Sequence, residues 1–269
     1  MAHALALYRR LLAVEIRAQL QYRAGFILDM TGTFFQVGLW FVALAGVFAR
    51  FERLGGWTFG EIAFLYGLVE TAFGTMDMVF SGFDPGYFGQ HVRRGTFDQF
   101  LLRPAGLTLQ VLGSRFLLRR LARVAEGLLI FSIALAALDV HWTAAKLAYL
   151  PLVVAGLVAF FGGLFIVGSA ITFWTVEPIE FINIFTYGGA EMMSYPMHIF
   201  PLELRRFFTY VVPAIFLNYY PALFFLDKPD PLGLPAWAPF VSPLAGVAVL
   251  AAALGAWRVG LRHYQSTGT

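Results

Sequence analysis

Residues 147–174 read LAYLPLVVAGLVAFFGGLFIVGSAITFW, an apolar run without a single charged side chain. A helix needs about 20 such residues to cross a hydrocarbon core of about 30 Å. Unpaired backbone groups are costly in lipid, so a spanning segment is either a helix or part of a closed barrel. The apolar residues are continuous here rather than alternating, which selects the helix. Gly156 and Gly163 lie seven apart and share a face of that helix, a stripe where a neighbouring helix can approach closely.

The rest of the chain has the same character. Of its 269 residues 59% are hydrophobic and 13% are charged, and the mean hydropathy is +0.71. A water-soluble domain of this length needs far more charge to cover its surface. The lack of cysteine removes disulfide and thiolate chemistry. The net charge of +3 does not point to nucleic acid, because the arginines flank apolar helices instead of forming a polar stripe with interleaved aromatics. No cleavable leader is expected: the N-terminus opens on a mixed helix, and the first long apolar run lies too far in.

Outward from 147–174 the pattern predicts an all-α membrane protein. It has six transmembrane helices, an N-terminal amphipathic interfacial helix and a re-entrant hairpin before the last span. Leu5, Tyr8, Leu12, Ile16 and Leu20 recur at helical spacing among Arg9, Arg10, Arg17 and Arg23, which puts the interfacial helix at about 4–23. Spans are predicted at about 26–48, 61–83, 124–138, 147–174, 178–198 and 239–259, in one transmembrane domain covering 1–269. A basic segment at about 84–120 separates the second span from the third, and Glu177 and Glu180 fall in the turn before the fifth. Tyr219, Tyr220, Trp237 and Trp257 lie near span ends, where interfacial belts place such rings.

Pro196, Pro201, Pro213 and Pro221 interrupt an apolar stretch that is long enough to cross. Proline removes a backbone donor and kinks or ends a helix. The stretch is therefore a seventh span, or a broken hairpin at about 199–226 that enters the bilayer and returns to the same side. Charge separates the two. With a hairpin, thirteen of the 19 Lys and Arg residues fall on the presumed cytoplasmic side, including Arg93, Arg94, Arg103, Arg115, Arg119, Arg120, Arg123, Arg258 and Arg262. Arg50, Arg53, Lys146, Arg205, Arg206 and Lys228 fall outside. The positive-inside tendency favours the hairpin, with both termini cytoplasmic.

Ionisable groups at membrane depth mark functional positions. Glu70 and Asp77 sit seven apart near one face of the second span. Their structural reading is that Asp77 ends the span and Glu70 pairs with an arginine or a neighbouring helix. Glu191 follows Gly188 and Gly189 and precedes the prolines; ionised, it needs a cation, and Arg205 or Arg206 is nearest in sequence. His3, His91, His141, His198 and His263 are scattered, with no H-E-x-x-H pair, so no metal is predicted. Two other classes compete with a pump subunit. A secondary transporter needs matching broken helices in both halves. An intramembrane enzyme acting on lipids needs convergent polar groups, for which only Glu70, Glu126 and Glu191 are on offer.

Four motifs carry a resemblance: RRGTFDQFLLRP at 93–104, SYPMHIFP at 194–201, PAIFLNYYP at 213–221 and GLRHYQSTG at 260–268. With the order of segments along the whole chain, they resemble the membrane subunit of bacterial ABC-2 type exporters. The resemblance implies a permease of the cytoplasmic (inner) membrane that is not itself an enzyme. Its partners would be two ABC ATPase subunits and a second permease, identical or related, in contact with membrane lipid. The sequence contains no G-x-x-x-x-G-K-[ST] loop, so ATP and Mg belong to the partner ATPase and no cofactor is expected on this chain. The ATPase-coupling loop would comprise Arg93, Arg94, Phe97, Asp98, Phe100, Leu101 and Arg103. Phe97, Phe100, Leu101 and Leu102 would be its apolar anchors, with Arg93, Arg94 and Asp98 at the rim.

Overall fold

The computed structural model describes residues 2–176, 181–230 and 233–266, so Glu177 and Glu180 lie outside the described residues. Those residues form helices and no strand. In chain order they are α1 (Ala2–Gln21), α2 (Arg23–Phe48), α3 (Phe59–Val79), α4 (Pro85–Arg93), α5 (Asp98–Leu101) and α6 (Leu107–Gly113). Then come α7 (Leu121–Ala137), α8 (Ala144–Thr175), α9 (181–193), α10 (Leu202–Tyr210), α11 (Ala214–Phe225) and α12 (Ser242–His263). Four of them, α2, α3, α8 and α12 with its leading turn, are long and apolar enough to cross a membrane. The bent pair α10 and α11, at 72° to one another, adds a fifth if it counts as one span. α7, with 17 residues, covers about 26 Å.

Local chemistry sets the helix ends. Thr58 caps α3 through a reciprocal box: its hydroxyl accepts from the Glu61 N–H, and the Glu61 carboxylate accepts from the Thr58 N–H at 2.8 Å. Asp84 caps α4 by accepting from the Tyr87 N–H at 2.8 Å, with Pro85 at the first helical position, where its missing donor costs nothing. α8 continues through Pro151 without ending. Within α9 the residues Ile184–Gly188 form a π turn.

Small residues bring the long helices together. α3 packs on α7 where Gly67 faces the Phe131 backbone and Gly127 faces that of Thr71; a Cβ at either would lie within 2.6 Å of a backbone nitrogen. α8 packs on α12 through Gly156, which meets Pro243 and Gly246, and Gly163, which meets Leu250. The stripe read from Gly156 and Gly163 is thus a helix-packing surface. α2 is the least covered of the four long helices, leaving Leu28, Phe35, Leu39 and Trp40 exposed along one flank.

The proline-rich segment is fastened at both ends to the same end of the bundle. On its leading side His198 donates from Nε2 to the Gly55 carbonyl at 2.6 Å, beside the start of α3. Because that carbonyl only accepts, neutral His198 leaves Nδ1 to accept from the Tyr219 hydroxyl at 3.0 Å. On the trailing side Lys228 pairs with Glu61 at 2.7 Å, and Lys146, 3% exposed at the start of α8, reaches Asp227 at 2.6 Å and the Phe225 carbonyl at 3.0 Å. Pro201 precedes α10 and Pro213 precedes α11, while Pro221 falls in the first turn after a break at Asn218. The amide of Asn218 crosses to the Leu65 and Met193 carbonyls.

Replacing Gly127 with Val is expected to lower unfolding free energy by about 2 kcal/mol or more through overpacking against α3. Gly32→Ala in α2, where a Cβ meets open space, should instead be neutral or stabilising by up to about 1 kcal/mol. Thermal unfolding of the two variants in detergent checks the contrast.

Candidate functional site

On one flank of the bundle, between α2, α3, α7 and α9, lies an open polar cavity of about 470 Å³. Its walls include Gln36 and Trp40 of α2, Tyr66 and Glu70 of α3, Arg123 of α7, and Tyr187 and Glu191 of α9. Close packing of α3 on α7 makes the central contact. Glu70 accepts two hydrogen bonds from Arg123, 2.5 Å from Nε and 2.9 Å from Nη2. The same guanidinium lies over the Phe73 ring, 4.3 Å from its centre. About two turns along α3, Asp77 and Arg120 form a second ion pair at 2.7 Å, close but without hydrogen-bond alignment.

Two further acids complete the cluster. Glu126 is buried between α7 and α2, with a Cβ on Gly38 only 2.9 Å from its Oε1, and its Oε2 has no hydrogen-bond partner. Glu191 is exposed to the cavity. Sequence proximity suggested Arg205 or Arg206 as its cation, but those residues lie on α10 at another hollow, and Glu191 faces Arg123 instead. Among the described residues Glu191 makes no ion pair. Glu70 is committed to Arg123, so Glu191 is the acid free to meet something in the cavity.

The segment between α3 and α7 is a folded lobe made of α4, α5 and α6. Phe97, expected as a docking anchor, is 0% exposed; it packs between Phe88, Phe173 and Tyr264. Phe100 is likewise turned inward, against Phe97 and His91. The aromatic rings leave water because α8 and α12 offer Phe173 and Trp257 as a wall. Leu101 and Leu102 remain outside, Leu102 at 85% exposure, next to the exposed Arg93, Arg94 and Arg103. Asp98 accepts from the Tyr264 hydroxyl at 2.9 Å and from the Ser266 hydroxyl at 2.6 Å. Two stretches far apart in sequence, 93–104 and the C-terminal tail, therefore meet. Burial and the Asp98 bond push the Tyr264 phenol up to about 12, so it stays a donor at neutral pH. A groove of about 510 Å³ runs between α1 and this lobe, lined in part by Arg94, Gln99 and Arg103. α1 is held there by Leu11 against Gly113 and by Gln19, whose side-chain oxygen accepts from the Leu118 N–H at 2.9 Å.

Among the described residues no group of His, Asp and Glu is arranged to hold a metal ion. The class these features define is a multi-pass helical membrane protein with a polar cavity between its helices and a compact lobe at one end. Residues 34–268 match the family model of the ABC-2 family transporter proteins, and the chain belongs to that family. Neither the search of curated proteins nor the search of solved structures gave a match.

Two outcomes are expected. Glu70→Gln leaves Arg123 buried without its counter-charge and should cost about 3–5 kcal/mol, whereas Glu70→Leu combined with Arg123→Met should recover much of that loss; unfolding midpoints of the single and double variants decide it. The second concerns His91, which bonds Thr96 at 2.8 Å and is held below its ordinary 6.5 by burial, with Arg94 adding to the effect. The unfolded chain then takes up a proton first as pH falls through about 6.5, so the lobe loses stability on acidification. Hydrogen exchange across 85–101 at about pH 7.5 and about pH 5.5 should show faster opening at the lower value, a dependence weakened in His91→Gln.

Proposed function

We propose that this chain is the permease subunit of an ABC-2 exporter. Membership of the family implies an ABC complex, and the chain has no phosphate-binding loop of its own. ATP and Mg are then handled by two separate ATPase subunits, and this chain supplies the path. In this reading α2, α3, α7, α8, the segment at about 178–198 that contains α9, and α12 are the six spans, and α1 lies along the membrane surface. Both termini face the cytoplasm of a bacterial inner membrane. The α10–α11 segment is a re-entrant hairpin on the outer side, supported by the fastening of both its ends to the Gly55–Glu61 end of the bundle.

The observation that carries the reading is the cavity. An ionisable Glu191 with Gln36 and Trp40 on an open flank cannot face lipid at that depth without cover. A second permease, identical or related, closes the flank and makes one path from two half-cavities. The lobe gives the ATPase its purchase through Leu101, Leu102 and Arg103 above the groove beside α1. Because Asp98 and Tyr264 join the lobe to α12, and Phe97 joins it to α8, a push on the lobe moves the spans with it.

Co-purification of the tagged subunit with an ATPase and vanadate-sensitive hydrolysis is the expected result, and a chain that purifies alone and inert would refute the assignment. Leu101→Asp with Leu102→Asp should reduce coupled hydrolysis by about tenfold or more while leaving the unfolding midpoint unchanged, since both side chains are exposed.

A further inference from the structure

The hairpin carries a second hollow, of about 150 Å³, between α10 and α11. Arg205, Arg206, Thr209 and Tyr210 line it from successive turns of α10, and Tyr220 lines it from α11. Two of these residues hold buried donors with nothing to bond. The Tyr220 hydroxyl belongs to a side chain 1% exposed and has no hydrogen-bond partner, and the Arg205 Nε is buried and equally unpartnered. Leaving a buried donor unpaired costs about 1–3 kcal/mol, more for a charged group, and such groups in native structures are satisfied by protein, water or a ligand. Neither arginine has an ion pair among the described residues, and no carboxylate lines the hollow. Asp230 lines the neighbouring hollow, which shares Tyr220 and Leu234 with this one, and its carboxylate accepts from the Leu234 N–H at 2.6 Å.

We propose that this hollow is a phosphate-binding site. Two adjacent guanidinium groups and two phenolic hydroxyls give more donors than a carboxylate can use and suit a tetrahedral anion. The volume is that of about five waters, enough for a phosphate group and too small for a sugar or a drug-sized cargo. The phosphate belongs either to the headgroup of an anionic phospholipid, whose chains would lie along the exposed Tyr210 and Val211, or to a soluble phosphate. The hollow does not rest on the transport reading; that reading fixes only which leaflet it faces.

The test uses the full chain in nanodiscs of equal parts phosphatidylglycerol and phosphatidylcholine, with native mass spectrometry of what is retained. Wild type should keep phosphatidylglycerol selectively. Arg205→Gln with Arg206→Gln should lose about tenfold or more of that retention, and Tyr220→Phe, which removes only the unpaired hydroxyl and keeps the ring in the core, several-fold. If inorganic phosphate displaces the lipid from wild type alone, the anion is drawn from solution; if it does not, the headgroup is the ligand. Equal retention by all three proteins, with no effect of phosphate on any, overturns the proposal. A failure of the exporter reading would appear separately, as loss of the ATPase partner with retention intact.

Discussion

The contact between Glu70 and Arg123 is what the interior of this protein depends on. α3 and α7 cross at Gly67 and Gly127 with their backbones nearly touching, and at that separation an acid on one helix must meet whatever the other presents. Arg123 meets it with two hydrogen bonds, so two charges that are costly alone in hydrocarbon become one satisfied unit. Asp77 and Arg120 form a second ion pair between α3 and the start of α7, at 2.7 Å but without a hydrogen bond. With both arginines paired, Glu126 and Glu191 are left without an ion pair among the described residues, and Glu191 is the one of the two that lines the cavity.

The two ends of the bundle are built on different principles. At the end carrying Gly55 and Glu61, polar fastenings hold the hairpin: His198, Lys146 and Lys228 each tie a segment of chain to a helix start. At the other end an aromatic stack of Phe88, Phe97, Phe173, Trp257 and Tyr264 binds the lobe to α8 and α12.

Much of the architecture was legible because the bilayer leaves few options: long apolar runs, broken by prolines at 196, 201, 213 and 221, specify helices and their interruptions. The Gly156 and Gly163 stripe was readable for the same reason, being regular within one segment. What escaped depended on partners distant in the chain. Arg123 reads as one more cytoplasmic charge until α7 lies on α3, since its acid is 53 residues away. Glu191 was matched to arginines nearby in sequence, yet it shares its cavity with Arg123 while Arg205 and Arg206 line another hollow. Phe97 and Phe100 have the composition of a docking surface, and only Phe173 and Trp257, from two other helices, reveal that they are core. The orphaned Tyr220 hydroxyl has no signature in sequence at all.

The π turn at Ile184–Gly188 adds one residue to a helical turn of α9. Every side chain after it is rotated by about 100° relative to an uninterrupted helix, and Glu191 is among them. The chemistry presented to the cavity from α9 is therefore governed by a residue count as much as by residue identity. Loss of a single codon upstream would retire Glu191 from the cavity and bring a neighbour into its place, with no substitution in the cavity wall. Cavities bordered by such a turn can be re-specified by insertion and deletion, a route of divergence that comparisons of aligned side chains do not register.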